Sequence, residues 1–128
     1  MIVPVIVTQL IPTDQRDYEV LRLEDTIYTE ISFFNATQDI NLGGLLFIPE
    51  GDGSYPVAVI IHGSGTSQRD NGWYLTLVDY LQNNEIAVLL PDKRGSEQSE
   101  GNWQTSSFED LATDTLAAIE FLKQQDLV

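Results

Sequence analysis

The feature that most constrains the fold of this chain is an uninterrupted apolar run at residues 57–61 that leads directly into His62-Gly63-Ser64-Gly65. A continuous apolar run is typical of a β-strand that is covered on both faces, whereas a half-exposed strand alternates apolar and polar residues. Glycines let the backbone turn sharply and place N–H groups in open space. The sequence therefore predicts a buried strand that presents a glycine-rich turn at its carboxyl end.

Two segments before this strand predict an antiparallel hairpin. Residues 30–36 and 41–49 have the composition of strands, and the polar segment 37–39 between them is typical of a turn. The glycine pair at 43–44 lies inside the second strand. It predicts either a β-bulge or a close approach by neighbouring backbone.

A helix, a second covered strand and a second helix are predicted after the glycine-rich turn. Asp70 or Asn71 can cap the first helix, whose apolar stripe consists of Tyr74, Leu77, Val78 and Leu81. Residues 86–91 form another continuous apolar strand. A capping box of Ser106 and Glu109 begins the last helix, whose apolar face consists of Phe108, Leu111, Ala112, Thr115, Ile119 and Leu122.

These elements predict an α/β fold: an antiparallel hairpin at the N-terminal edge, followed by parallel strand-helix-strand-helix. We expect residues 1–29 to be an N-terminal arm with a weak strand at 18–23. We expect residues 30–128 to form one domain, since the whole chain is no longer than a single ordinary domain.

Composition excludes several classes of function. With 20 acidic and 6 basic residues the net charge is −14, which would repel nucleic acids and anionic membrane surfaces. Cysteine is absent, so there is no disulfide, thiol nucleophile or thiolate metal site. Residues 1–10 lack the basic start of a signal peptide, and no run reaches the roughly 20 apolar residues of a membrane span. We therefore expect a cytoplasmic protein, although secretion stays open.

Chemistry is expected where two loops leave the carboxyl ends of the covered strands, at residues 62–70 and 91–101. The first loop can act as an oxyanion hole, which needs N–H donors fixed in advance where negative charge develops on a carbonyl oxygen. Gly63, Ser64 and Gly65 are the candidate residues. The alternative is an ordinary strand-to-helix turn, because the pattern is short.

Further side chains of these loops are candidates for the rim of a pocket: His62, Arg69, Asp70, Asp92, Arg94, Trp73 and Trp103. His62 is either a general base or a structural residue of the turn, and we favour the structural role because no serine–carboxylate pair is built around it. Asp92 can instead fix its own turn, and single tryptophans are often packing residues. Asp110 and Asp114 share a helix face without a third ligand, so we expect neither a metal nor a cofactor.

Four segments form an ordered set of motifs. They are Leu42-Gly-Gly-Leu-Leu-Phe-Ile-Pro; Val57-Ala-Val-Ile-Ile-His-Gly-Ser-Gly with Arg69-Asp70; Ile86-Ala-Val-Leu-Leu-Pro-Asp-Lys-Arg-Gly-Ser with Ser99 and Gly101; and Phe108-x-Asp110 to Leu122-Lys123. From about Glu30 onward, this set resembles the α/β-hydrolase superfamily, above all its dienelactone-hydrolase-like and prolyl-oligopeptidase-like serine hydrolases. Glu97 stands where members of these families usually have a second glycine.

The resemblance implies a partial site. In this superfamily the His-Gly-x turn supplies one oxyanion-hole N–H, which corresponds to Ser64 here, with Gly63 and Gly65 shaping the turn. A G-x-S-x-G elbow on the following strand supplies the second N–H and the nucleophile, and the acid and histidine come later. The 128 residues contain no such elbow. We therefore expect the truncated N-terminal half of a carboxylic ester or peptide hydrolase that is inactive alone, and whether it belongs to an active enzyme stays open.

The resemblance also implies an unpaired sheet edge. In the resembled fold, strand 57–61 lies between strand 86–91 and the strand of the nucleophile. Natural edges are protected by charge, proline or bulges, and residues 57–61 contain none of these. We expect a homodimer that pairs this edge with its own copy, since two-fold contacts are the commonest in oligomers. The alternative is a second chain that carries the elbow, the Asp and the His and completes a hydrolase in trans.

Overall fold

The computed structural model describes residues 21–126, which form one mixed sheet between two helical layers. The elements are β1 (Thr29–Asn35), β2 (Ile40–Phe47), β3 (Val57–Val59), α1 (Gly72–Asn83), β4 (Ala87–Pro91) and α2 (Phe108–Lys123). The strand order is β1-β2-β4-β3. β2 is antiparallel to both β1 and β4, and β3 is parallel to β4. The α/β class and the order of elements are as predicted.

The N-terminal part of the chain departs from the prediction where the structure describes it. Residues 1–20 of the predicted arm, with the start of its strand, lie outside the described residues. The end of that strand is wrong, because Leu23–Asp25 is one turn of 3-10 helix. The Leu23 N–H donates to the Asp70 carboxylate at 2.9 Å instead of joining a sheet.

The glycine pair in β2 allows close packing of the neighbouring backbone. β1 and β2 pair one to one from Thr29–Leu46 to Asn35–Ile40, which is regular pairing without an extra residue. A Cβ atom on Gly43 would lie 2.8 Å from Gln98 Cβ, and one on Gly44 would lie 2.9 Å from Pro91 Cα. Of the two predicted explanations, close approach is therefore the one that applies.

Two apolar clusters cover opposite faces of the sheet. The α1 side contains Leu45, Phe47, Ile60, Leu75, Val78, Val88 and Leu90. The α2 side contains Phe33, Leu42, Leu46, Leu89, Ala118 and Leu122. Because successive residues of a strand point to opposite faces, β4 must be apolar at every position to fill both clusters. This is the physical reason for the continuous apolar run at 86–91.

The first helix begins at one of its two predicted caps, and its buried face contains three of the four predicted residues. The Asn71 side chain accepts from the Trp73 N–H at 3.0 Å, whereas Asp70 bonds to Arg22 and Leu23. Leu75 and Val78 are the buried residues of α1, and Leu77 of the predicted stripe is 44% exposed. Tyr74 and Leu81 also pack against the cluster on the α1 side, so the prediction is wrong only in placing Leu77 on the buried face in place of Leu75.

The second helix begins one residue later than its predicted capping box. Ser107 accepts from the Asp110 N–H at 3.1 Å, and the Asp110 carboxylate accepts from the Ser107 N–H at 3.0 Å. Ser106 cannot serve as the cap because its hydroxyl donates to the Asn102 carbonyl and accepts from Arg94. Of the predicted face, Leu122 is buried while Phe108 is 87% exposed.

β3 forms the last strand at one side of the sheet. The predicted strand at 57–61, covered on both faces, is wrong in length and in burial: β3 ends at Val59, its three residues are half-buried, and Ile61 is 70% exposed. The reason is its position at the edge, where the two helices cover it only in part. Within residues 21–126 it pairs with β4 alone, which leaves its outer backbone groups without a neighbouring strand. The predicted edge is therefore present in the part of the chain that the structure describes. None of the helices described here is long and apolar enough to span a bilayer.

Candidate functional site

The glycine-rich turn leaves β3 as an open segment. Gly65 has φ +91°, a conformation that L side chains rarely adopt, and no atom lies within 4 Å of a Cβ built on Gly63 or Gly65. Lys93 Nζ donates to the carbonyl oxygens of both glycines, at 2.9 and 2.8 Å. Ser64 lies between them and is exposed. Within residues 21–126, its backbone N–H meets no hydrogen-bond acceptor.

An apolar groove of about 700 Å³ runs between this turn and the start of α2. Residues of both elements line it, among them Ile61, Ser64, Trp103, Phe108, Leu111 and Leu116. Ile61 is 70% exposed, so the groove is open along the side of β3. The turn therefore carries an unpaired backbone N–H at a residue that lines an apolar groove.

His62 connects the two loops of the site by a hydrogen bond. Its Nε2 is hydrogen-bonded to the Pro91 carbonyl, and its ring meets Tyr74 edge-on with 5.0 Å between centroids. Because the carbonyl can only accept, Nε2 carries the proton. Burial lowers the pKa of the ring, and the hydrogen bond to Pro91 partly opposes this effect. This geometry fits the structural role that we favoured from the sequence.

Arg69 and Asp92 form a bidentate ion pair beneath the loops. Arg69 donates to both carboxylate oxygens of Asp92, at 2.9 and 2.8 Å, and also pairs with Glu30. The hydrogen bond to Asp92 is the main cause of a raised Arg69 pKa. Asp92 is buried and also accepts from the Gln98 N–H at 3.3 Å. Its observed contacts therefore hold the loop, as in the turn-fixing alternative.

The Arg94 side chain is buried and forms its hydrogen bonds within the protein. Its guanidinium is only 5% exposed and binds both oxygens of Asp114 at 2.8 Å. This bond raises the pKa of Arg94. Asn35 donates to the same carboxylate at 2.7 Å. The Asp110 carboxylate meanwhile caps α2, and in the described part of the chain no three metal-binding side chains converge.

The other rim candidates separate into two groups. The Asp70 carboxylate accepts from Arg22, which is the main cause of its lowered pKa, and Trp73 is 89% exposed on the first turn of α1. Neither lines the groove, whereas His62 and Trp103 do.

The sequence did not predict that Lys93 donates hydrogen bonds to the glycine-rich turn. It also missed that part of the apolar face of α2, from Phe108 to Leu116, lines the groove. The signal available in the sequence was the apolar character of Phe108, Leu111 and Leu116 near the start of the helix.

Glu97 keeps a backbone conformation that suits glycine. Its φ is +47°, in the left-handed region. Its carboxylate accepts from the Arg69 N–H at 3.3 Å. The loop therefore holds a positive-φ conformation at this position although the side chain differs from the usual glycine.

No protein-family model matches the chain, and no curated protein matches it. Solved structures do match. Est1E from Butyrivibrio proteoclasticus, solved with ferulic acid, is 24% identical with a TM-score of 0.64, over 77% of this chain and 39% of its own. The Pyrococcus furiosus esterase PF2001 is 20% identical with a TM-score of 0.66, over 80% and 37%. The α/β hydrolase GrgF from Penicillium is 21% identical with a TM-score of 0.62, over 80% and 34%.

These likenesses show a shared fold. The expectation of a partial α/β-hydrolase sheet is confirmed, because esterases and α/β hydrolases match most of this chain with only a part of their own. The chain spans between 34% and 39% of the length of these three structures.

Proposed function

We propose that this chain forms the oxyanion-hole side of a site that hydrolyses carboxylic esters or peptides, and that it is inactive alone. The observation that carries this proposal is the unpaired Ser64 N–H beside an apolar groove. Hydrolysis of an ester or amide passes through a tetrahedral intermediate, and N–H donors fixed in advance stabilise its oxyanion. The groove suits the apolar part of an acyl group.

Inactivity of the chain alone follows from its lack of an activated nucleophile. No serine of the 128 residues lies in a G-x-S-x-G elbow. The sole histidine donates its Nε2–H to the Pro91 carbonyl, and among the described residues its Nδ1 accepts no hydrogen bond from a serine hydroxyl. A serine hydroxyl without a neighbouring base is a weak nucleophile. The nucleophile, acid and base must therefore come from residues other than these.

A labelling experiment tests the inactivity. The purified chain is treated with a fluorophosphonate probe and assayed with p-nitrophenyl acetate. We expect no covalent labelling and no hydrolysis above the rate in buffer. Labelling of any serine in this chain would contradict the proposal.

A chimeric enzyme tests the role of Ser64. Residues 30–126 replace the matching part of Est1E, and hydrolysis of a ferulic acid ester is measured, since Est1E was solved with ferulic acid bound. Ser64→Pro removes the backbone N–H and should lower kcat about 100- to 1,000-fold. Ser64→Ala keeps that N–H and serves as the matched control. The role of the Ser64 N–H as an oxyanion donor would be refuted if the folded chimera is inactive. It would also be refuted if Ser64→Pro leaves the kcat of the chimera unchanged.

The second candidate is a non-catalytic homodimer, and the open edge of β3 favours it. Hydrogen bonds join Ile60 N to Leu89 O and Ala87 N to Pro56 O, so the alternate residues Val57 and Val59 turn their N–H and C=O groups outward. A second copy can pair antiparallel with these groups and form one continuous sheet. The exposed side chain of Ile61 would become covered in such a pair.

Sedimentation equilibrium at micromolar concentration tests the homodimer. We expect twice the mass of the chain for the wild type and a monomer for Ile61→Lys, because lysine protects sheet edges from pairing. Ile27→Lys makes the same change at a residue that is 86% exposed before β1, and it should stay dimeric. A monomeric wild type, or a dimeric Ile61→Lys, would contradict this geometry. Co-purification of a chain that carries a G-x-S-x-G strand would favour completion in trans.

A further inference from the structure

We infer that Lys93 is a positioning residue that fixes the direction of the Ser64 N–H. The catalytic consequence rests on the proposed function, whereas the effect on the turn rests on contacts alone. The residue lies in the loop after β4 and reaches across to the turn after β3. It therefore couples two loops at the same edge of the sheet.

Three contacts hold the Lys93 ammonium in place. Two are the hydrogen bonds to the carbonyl oxygens of Gly63 and Gly65, at 2.9 and 2.8 Å. The third is the ring of Trp103, whose centroid lies 4.2 Å from Nζ. An ammonium has three N–H donors and no acceptor, and an aromatic face attracts a cation. With two donors given to carbonyls and the ring face against the cation, Lys93 is a part of the turn rather than a free ligand for substrate.

The geometry of the peptide bond carries the effect from the carbonyls to the N–H groups. A trans peptide is planar, so its C=O and its N–H point in opposite directions. Lys93 draws the Gly63 carbonyl toward itself and thereby points the Ser64 N–H away. The same argument applies to the Gly65 carbonyl and the Thr66 N–H. One ammonium therefore sets two peptide planes.

The turn needs this external restraint. Gly63 and Gly65 have no Cβ and face open space, so local sterics leave them many conformations. An oxyanion donor is effective when its direction is fixed before the reaction. A positive charge on the carbonyl also polarises the peptide and strengthens its N–H as a donor. We expect Lys93 to contribute in both ways.

The direction of the Ser64 N–H can be measured by NMR in the full chain. Residual dipolar couplings and ¹⁵N order parameters are recorded for the wild type, Lys93→Met and Lys123→Met, together with the carbonyl ¹³C shifts of Gly63 and Gly65. Both substitutions remove one positive charge and keep an unbranched side chain. Lys123 pairs with Glu120 on the surface of α2, far along the chain from the turn.

In the wild type we expect an order parameter for Ser64 near about 0.85, the level of rigid backbone. In Lys93→Met it should fall below about 0.6, with a reduced dipolar coupling and shifted carbonyl signals. Couplings in β4 should stay unchanged in both variants, which shows that the sheet is intact. A flexible Ser64 in the wild type, or an unchanged Ser64 in Lys93→Met, would overturn the inference.

The same substitution in the chimeric enzyme separates this inference from the proposed function. Lys93→Met should lower kcat at least about tenfold with little change in KM, because a misdirected donor weakens transition-state binding. If Ser64→Pro abolishes activity and Lys93→Met does not change kcat, the inference fails while the proposed function stands. If Ser64→Pro has no effect, the proposed function fails, and the NMR result still decides the role of Lys93 in the turn.

Discussion

At the scale of single residues, buried ion pairs hold the loops around the groove. Arg94 joins the loop after β4 to the middle of α2 through a bidentate bond to Asp114, and Asn35 adds the end of β1 to the same carboxylate. Arg94 also donates to the Asp110 carbonyl at 3.0 Å and to Ser106. Removal of the guanidinium would leave several half-buried oxygen atoms without this donor.

Arg94→Ala should lower the free energy of unfolding by about 3 kcal/mol, since it leaves the half-buried Asp114 carboxylate, whose side chain is 17% exposed, without its cation. Arg94→Lys should cost less but still be destabilising, because lysine cannot form the bidentate pair. Urea unfolding provides the measurement. Lys123→Ala breaks a pair whose side chains are both 66% exposed, and it should change stability by less than about 1 kcal/mol. Equal effects of the Arg94 and Lys123 substitutions would refute this prediction.

Glu97→Gly should stabilise the protein. Left-handed backbone is strained for an L residue with a side chain, at about 1–2 kcal/mol, and glycine avoids this strain. Part of the gain is lost because glycine has more freedom in the unfolded chain, so we expect a net gain of about 0.5–1 kcal/mol. Thermal unfolding would measure it. Glu50→Gly removes the same charge from an exposed loop without relieving such a conformation, and should be neutral or destabilising.

The stability should fall as the pH is lowered from 7 to 5, and His62 should cause the fall. It is the sole histidine of the sequence, and burial lowers its pKa in the folded state. The unfolded chain therefore binds more protons below the ordinary pKa of histidine, about 6.5. The part of the stability that depends on a neutral His62 is fully present above that pH. It is lost as the pH falls toward the pKa of His62 in the folded state. His62→Gln does not titrate and should flatten the dependence; an equal slope in both proteins would contradict it.

At the scale of elements, α2 both packs against the sheet and lines the groove. Its inner residues Ala118 and Leu122 are buried against the sheet, whereas Phe108, Leu111 and Leu116 line the groove. The helix begins with the reciprocal bonds between Ser107 and Asp110, which fix its first turn beside that groove. The capping box therefore also positions one wall of the site.

Ser107→Ala should lower the free energy of unfolding by about 1 kcal/mol, the usual effect of losing an N-cap side chain. The backbone and hydroxyl bonds of Ser107 are also the main causes of the lowered pKa of Asp110. A lowered pKa gives stability that is present above the ordinary carboxyl pKa and is lost as the pH falls through the folded pKa. The effect of Ser107→Ala should therefore be smaller in acid than at neutral pH. Ser54→Ala, in an exposed loop, provides the control.

At the scale of the whole molecule, the net charge of −14 opposes compactness. Like charges repel across a folded surface, and salt screens this repulsion. We expect the melting temperature to rise when sodium chloride is increased from about 0.01 to about 0.5 M, over which the screening length shortens severalfold. Calorimetry would measure it. A lower melting temperature at high salt would show that attractive ion pairs outweigh the repulsion.

Much of the fold could be predicted because its signals are local. The hairpin, the covered strand β4 and the presence of both helices were expected from periodicity, turn residues and caps, whereas β3 is shorter and less covered than its apolar run predicts. The wrong predictions in the helices concern positions where two nearby residues fit the local sequence pattern equally well. Leu75 and Leu77 are both apolar in α1, and Ser106 and Ser107 can both cap α2; contacts with the sheet and with Arg94 decide between them.

The sequence by itself determined the order of the elements, the buried strand β4 and the glycine-rich turn, because each depends on residues close together in the chain. The tertiary structure decided what surrounds that turn. Lys93 bonds to a carbonyl 30 positions away, and Arg94 and Asp114 are 20 positions apart. No periodicity encodes such pairs, since they depend on how β3, β4 and α2 are placed in space. The direction of the Ser64 N–H is therefore a property of the packed loops rather than of the glycine motif alone.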